Sequence, residues 1–288
     1  MKADKATNCA SGPIKLALFG TPIKSSLSPY IHGQFAQQAG MEVDYRLIET
    51  GPESFPEQLE AFRLSGGVGC NITLPLKHQA WQLAAKASAS VMQAQAANTL
   101  VHRPSGGWMA HTTDGVGFIN DLKLNHGVRV EGQRVLVLGA GGAAAGIMGN
   151  LLDESPHAIV VVNRNVGRAN KMIRQFDHSN TCSTSSWESV ATLPGFGLII
   201  NATSVGHQGQ LPKLSKQMFA DGAVCYDLNY FTASLPLKKY CETMGVRYFD
   251  GLGMLVEQAA KSFSLWTGFQ PETRQVISDC VNRMPAQV

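Results

Sequence analysis

The sequence predicts an α/β protein made of two α/β domains, the first with a mostly parallel sheet, and a cleft between them as the place for a site. Three observations predict it. Short apolar, β-branched runs alternate with segments of helical period. The alternation comes as two separate series, from Ile14 to Thr73 and from Arg134 to Leu228. The second series opens on a glycine-rich turn set directly between an apolar strand and a helix.

In chain order, Ile14–Gly20 (IKLALFG) reads as a strand ending in glycine. The segment from Ser28 to Gly40 reads as a helix, with Ser28 as N-cap, Pro29 at the first helical position and Gly40 past the end. Val43–Glu49 is the next strand, Ser54–Leu64 a helix and Gly67–Thr73 a third strand. The Ala-rich stretch Ala84–Ala97 reads as helical. Thr112–Leu122 (TTDGVGFINDL) is the crossing between the domains.

The second series starts with the strand Arg134–Gly139 and a helix from about Gly142. Ala158–Arg164 is its second strand, followed by a helix; Gly197–Thr203 and Ala223–Leu228 continue it. Near the end, Leu255, Ala259, Phe263 and Trp266 recur at helical spacing and form an apolar face, with Gln258 off the centre of that stripe.

Composition excludes several classes. A chain of 288 residues with 44% hydrophobic and only 16% charged residues has the means for a sizeable core, not for disorder. A net charge of +3 without a basic block gives no footing for nucleic acid. Cys9, Cys70, Cys182, Cys225, Cys241 and Cys280 are scattered, with no C-x-x-C and no His pair at ligand spacing. That usage fits free thiols in a reducing compartment and no metal. The amino-terminal apolar run is short and carries Lys15, and no segment approaches a membrane span, so a cytoplasmic protein without a membrane partner is expected.

The turn VLVLGAGGAAAG contains G-x-G-x-x-A as Gly139, Gly141 and Ala144. In this context Gly139 permits the tight turn, Gly141 lets backbone N–H groups approach a pyrophosphate, and Ala144 allows close helix–strand packing. The following helix start adds its partial positive charge. A site for NAD usually offers Asp or Glu at the end of the next strand to hold the ribose hydroxyls. Here that position is Asn163, followed by Arg164 and Arg168, whose planar guanidinium groups suit a 2′-phosphate. The dinucleotide expected is therefore NADP, the other reading being two solvated arginines at a helix start.

The first series carries a polar constellation. Ser26 and Ser28 lie in the loop after the first strand and offer hydroxyls to a small carboxylate, although Ser28 also reads as a cap. Asn71 and Thr73 alternate on the third strand and share a face. Asn98 and Thr99 make another polar step, and Asp114 stands in TTDGVG, where an N-cap is the alternative reading. With Lys77 these residues suit a polyhydroxylated carboxylic acid, the serines holding the carboxylate, Asn98 and Asp114 the hydroxyls, and Lys77 moving a proton to or from one oxygen.

The segments PIKSSLSPYIH, NITLPLK, AANTL, TDGVGF, GAGGAA, NRNVGRA, LIINATSVG, CYDLNY and DGLGMLVEQAA together resemble the NADP-dependent shikimate dehydrogenase family, from near residue 15 to about residue 265. The resemblance implies reversible reduction of 3-dehydroshikimate to shikimate by NADPH, a step toward chorismate and the aromatic amino acids. It implies Lys77 as acid/base assisted by Asp114. Ser26, Ser28, Thr73 and Tyr230 then bind the substrate carboxylate, and Asn98, Asp114 and Gln258 its ring hydroxyls. Gly139, Ala140, Gly141, Gly142 and Ala143, with Asn163, Arg164, Asn165 and Arg168, match the NADP elements, and backbone near Leu228 and Gly251 surrounds the nicotinamide. The domains implied are a substrate domain over 1–113, a Rossmann-type NADP domain over 114–250, and C-terminal helices over 251–288 that return to the first, in a monomer or homodimer.

Some positions depart from the family's pattern. Ala85, Lys86 and Ala89 stand where acidic residues are common, and His111–Thr112 stand where Asp-Asn is common. Asn165 replaces a threonine that often contacts the 2′-phosphate, which weakens the case for strict NADP preference. The rival readings are a quinate/shikimate dehydrogenase with relaxed NAD/NADP use, and a non-catalytic NADP-sensing regulator, against which the presence of both Lys77 and Asp114 speaks.

Overall fold

The computed structural model describes residues 12–177 and 179–283; Cys9, the amino-terminal segment and the last residues of the C-terminal part lie outside them. Two six-stranded sheets form, in the orders β2-β1-β3-β5-β6-β4 and β12-β11-β10-β7-β8-β9. The first contains β1 (Ile14–Gly20), β2 (Val43–Glu49), β3 (Gly69–Ile72), β4 (Lys86–Ala87), β5 (Thr99–His102) and β6 (Trp108–His111). Strands β1, β2 and β3 are parallel, while β5 runs antiparallel to both β3 and β6.

Alternation along β1 sends Ala17 and Phe19 to a core shared with α2 (Phe55–Leu64) and α3 (Lys77–Leu83). On α1 (Ser28–Ala39), Ile31 and Phe35 pack against Val256 and Phe263 of α9 (Leu252–Thr267), and against Val276 and Cys280 of α10 (Arg274–Asn282). The face predicted from Ala259, Phe263 and Trp266 is buried, and Trp266 Nε1 donates to Leu100 O over 3.0 Å, so the C-terminal helix lies on the first sheet.

The second sheet contains β7 (Arg134–Leu138), β8 (Ala158–Val162), β9 (Cys182–Ser185), β10 (Phe196–Asn201), β11 (Phe219–Asp227) and β12 (Arg247–Phe249), all parallel. Renumbered within the sheet, its order is 3-2-1-4-5-6, the doubly wound arrangement whose ligands sit beyond the carboxyl ends of the strands. One face packs on α6 (Gly142–Asp153) and α7 (Val166–Phe176), the other on α8 (Leu235–Met244).

α5 (Asp114–Asn120), continued by a π-helical turn over Asp121–Asn125, joins the two sheets and lies along α9. A Cβ on Gly117 would stand 2.6 Å from Gln258 N and 2.8 Å from Met254 O, so only glycine admits this approach. The same approach brings Gln258 to the first domain.

Several boundaries differ from the sequence reading. The third strand is confined to Gly69–Ile72, because the chain turns at Thr73, whose carbonyl accepts from Leu76 N. Of Ala84–Ala97 only α4 (Ala89–Ala94) is helical. Lys86–Ala87 pair with β6 instead, and Ser88 caps α4 by accepting from Val91 N. Helical propensity of alanine yields there to strand pairing. Ser28 is the first residue of α1 rather than its cap; Leu27 holds the cap position and has no capping side chain.

Candidate active site

Lys77 is the first residue of α3, where the ammonium meets the positive end of the helix, an unfavourable placement without a nearby anion. The anion comes from 37 residues on: Lys77 Nζ stands 2.6 Å from Asp114 Oδ2. The two side chains are 21% and 11% exposed, shielded enough for the attraction to outweigh that of an open surface pair. Asp114 opens α5 after Thr113 and does not cap it.

Around this pair the structure builds a lattice of hydrogen-bonded polar groups. Asn98 Nδ2 donates to Asp114 Oδ1 (2.8 Å), Thr113 Oγ1 (2.9 Å) and Gln258 Oε1 (3.2 Å). Its Oδ1 accepts from Thr113 N (2.8 Å) and Thr99 Oγ1 (3.0 Å). Ser262 Oγ lies 2.8 Å from Thr99 Oγ1 and 3.2 Å from Thr113 Oγ1, and it accepts from Asn71 Nδ2 at 3.1 Å. Asn71 Oδ1 in turn accepts from Tyr45 Oη (2.8 Å) and pairs with His32 Nε2 (3.1 Å).

Asn71 therefore does not share the open face with Thr73. It is buried and spent on the fold, because α9 covers it with Ser262. His32 lies wholly inside, stacked on Tyr45 with ring centroids 4.6 Å apart, and burial pulls its pKa down to about 3 despite the bond to Asn71. It is a neutral framing group.

Ser26 and Ser28 form their own pair, with Ser26 Oγ donating to Ser28 Oγ at 3.1 Å and accepting from Ser28 N at 3.2 Å. Thr73 stays part-exposed, and among the described residues its hydroxyl has no protein partner. Tyr230 makes no direct bond to the lattice. It packs edge-on to Phe231 and against the apolar core that α1 shares with α9, and burial raises its pKa. Of the residues expected to hold substrate, Lys77, Asp114, Asn98 and Gln258 are thus brought into one hydrogen-bonded group, while Ser26, Ser28, Thr73 and Tyr230 are not bonded to it directly.

In the second domain the glycine turn lies between β7 and α6. Gly139 adopts φ +104°, and a Cβ there would press to 2.9 Å on Ala202 O. Both observations demand glycine. A Cβ on Gly141 or Gly142 meets no protein atom within 4 Å, so the backbone there faces open space at the start of a 12-residue helix. At the end of β8, Asn163 Oδ1 accepts from Ala140 N, tying the turn to the next strand. Arg164 and Arg168 are exposed, and among the described residues neither has a carboxylate partner. Two free guanidinium groups and no acid at this strand end fit a nucleotide carrying a 2′-phosphate. Asn165 has a further duty, since its Oδ1 caps α7 by accepting from Arg168 N at 3.0 Å.

Leu228 and Gly251 are neighbours at the carboxyl ends of β11 and β12, where Gly251 leaves no room for a Cβ beside Leu228 O. The sequence reading missed Thr113 and Ser262. The second had a signal, since it lies four residues after Gln258 and hence on the same helical face. His32 had none beyond its position on a helix already explained by its apolar face.

Comparison with known proteins covers both sheets and the returning helices. Residues 18–100 match the shikimate dehydrogenase substrate binding domain, residues 122–223 the shikimate/quinate 5-dehydrogenase family, and residues 251–278 the shikimate 5′-dehydrogenase C-terminal domain. The chain is 44% identical to the shikimate dehydrogenase (NADP(+)) of Marinobacter nauticus over 91% of its length and 96% of that protein. It is 41% identical to that of Alkalilimnicola ehrlichii over 92% and 97%. Among solved structures, the Ael1 enzyme of Pseudomonas putida superposes with a TM-score of 0.87 at 36% identity, covering 92% and 97% of the two chains. The Thermus thermophilus shikimate 5-dehydrogenase in complex with NADP(H) and shikimate superposes with a TM-score of 0.82 at 28% identity, covering 94% and 100%. Among the described residues no helix is long and apolar enough to cross a membrane. With both sheets and the closing helix matched, and relatives above 40% identity along almost the whole length, the chain belongs to the shikimate dehydrogenase family.

Proposed function

We propose that this protein reduces 3-dehydroshikimate to shikimate with NADPH, and runs the reverse, with Lys77 as the acid/base group. The observation that carries this reading is the 2.6 Å Lys77–Asp114 pair, held by Asn98, which is itself bonded to Gln258, at the junction of the two sheets. Gly139–Ala143, Asn163, Arg164 and Arg168 would hold NADP, with Leu228 and Gly251 at its nicotinamide end, and the bound cofactor supplies the hydride. Lys77 Nζ gives its proton to the oxygen that gains negative charge during reduction, and retrieves one in the reverse direction. Asp114 Oδ2 holds the ammonium in place, while Asn98 and Gln258 present amide groups to ring hydroxyls. Ser26, Ser28, Thr73 and Tyr230 take the carboxylate.

The division proposed is a substrate domain over 1–113, an NADP domain over 114–250 and returning helices over 251–288, working in the cytoplasm as a monomer or homodimer. Absorbance at 340 nm with shikimate and NADP tests the reading. Turnover is expected, with NADP preferred to NAD and shikimate to quinate. No NADPH formation with shikimate overturns it, and equal efficiency with quinate or NAD selects the broader quinate/shikimate activity.

A further inference from the structure

Beneath the loops assigned to the nicotinamide end of the cofactor lies a buried carboxylate that the mechanism above does not use. Asp227 ends β11 with no exposed surface, directly across from Asn201, which ends β10 and is equally buried. Its Oδ1 accepts three bonds: from Asn201 Nδ2 (2.9 Å), Asn229 N (3.0 Å) and Asn229 Nδ2 (2.7 Å). Its Oδ2 has no partner among the described residues, and no cation bonds either oxygen. Burial accordingly lifts its pKa to about 6, against the opposing effect of the two asparagines.

A buried acid without a counter-ion costs stability, so its placement calls for a reason beyond packing. The bonds that radiate from it supply one. Asn201 Oδ1 accepts from Thr203 N (3.1 Å) and Thr203 Oγ1 (2.7 Å), and Asn229 Nδ2 donates to Thr203 O (2.9 Å), which joins the loop after β10 to the loop after β11. Leu228 N donates to Asn201 O, and Gly251 N to Asn229 O, which brings in the loop after β12. The first of these loops also presses on the nucleotide turn, through Ala202 O against Gly139. Three consecutive strand ends are therefore fastened at one carboxylate, and the fastened segments carry Leu228, Tyr230 and Gly251.

We infer that Asp227 is a positioning residue, whose carboxylate, with Asn201 and Asn229, sets the nicotinamide-end loops for reaction without touching substrate or cofactor. An ionised acceptor is suited to this, because its hydrogen bonds are shorter and stronger than those of a neutral amide. The inference rests on the proposed function for the meaning of these loops, and the test separates the two.

Asp227→Ala, Asp227→Asn and Asn229→Ala are compared with the unmodified full chain in kcat and KM for shikimate with NADP. They are also compared in the Kd of NADP and of 2′,5′-ADP, which has the adenosine and its phosphates but no nicotinamide. Asp227→Ala should lower kcat by about 10²-fold, the scale of a misplaced reacting group, and weaken NADP while leaving 2′,5′-ADP binding unchanged. Asn229→Ala, whose side chain is only half-buried, should shift the same quantities less, and Asp227→Asn, which keeps an acceptor at Oδ1 but a weaker one, should restore part of kcat. Parallel loss of NADP and 2′,5′-ADP binding, or unchanged kcat and NADP affinity in both alanine variants, would overturn the inference. If the unmodified chain does not oxidise shikimate, the proposed function fails, and the two Kd values still decide the positioning role.

Discussion

The two halves of the site are built in opposite ways. Around Lys77 the groups are side chains drawn from β3, β5, α3, α5 and α9, most of them buried and already satisfied by one another. Around the glycine turn the groups are backbone N–H and two exposed arginines, supplied within one continuous stretch from β7 to the start of α7, with Gly141 and Gly142 facing open space. The first is a closed lattice in which each member holds others in place; the second is an open cradle whose parts act separately. The difference teaches that disturbing the lattice should cost both fold and activity, whereas disturbing the cradle should cost affinity for one ligand alone.

The hardest test of this contrast is Lys77→Ala. Turnover should fall roughly 10²–10⁴-fold, the usual contribution of a general acid–base group, with NADP binding retained. Near-normal steady-state rates would remove Lys77 from the role.

Asn98→Ala strikes the lattice at its hub: it strands the Thr113 N–H as a buried donor and removes the amide donor from Asp114 Oδ1, while the Thr99 hydroxyl keeps Ser262 Oγ. Each stranded group costs about 1–3 kcal/mol, so thermal melting should drop by several degrees while activity falls. A variant with unchanged melting and lost activity would show that Asn98 serves substrate only.

His32 sharpens the contrast through pH. Its pKa is about 3 in the fold and 6.5 in the unfolded chain, so below pH 6.5 the unfolded state binds a proton that the native state refuses. Its stabilising contribution is present above pH 6.5 and is lost on acidification toward pH 3, amounting to about 2 kcal/mol by pH 5. Denaturant titrations of His32→Phe between pH 7 and pH 5 should show a correspondingly flatter loss; an identical slope would mean the buried imidazole is not the origin.

The smallest effect is expected in the cradle. Arg164→Ala should weaken NADP by roughly tenfold, the scale of one charged hydrogen bond, with NAD and melting temperature unchanged. Equal losses with both dinucleotides would place the arginine elsewhere than at a 2′-phosphate.

Legibility in the sequence follows the same division. GAGGAA with Asn163, Arg164 and Arg168 is local, and its meaning depends on the strand before it and the helix after it, so the second domain and its ligand class could be read directly. Lys77, Asn98 and Asp114 were readable by residue type as a polar constellation for a hydroxylated acid, whereas Gln258 joined them only through family resemblance, because spacing alone does not join positions that far apart.

The sequence by itself determined the two βα series, the glycine turn, the apolar face of α9 and the choice of arginine over acid at the end of β8. Only the tertiary structure decided that Asn71 is consumed by the fold, that Asn165 caps α7, and that Asp227 lies under three loops. Periodicity and turn chemistry are fixed by neighbours along the chain, whereas the partner of a buried polar group is fixed by which distant element covers it. Here that element is α9 over the first sheet and the crossing of strand ends over the second.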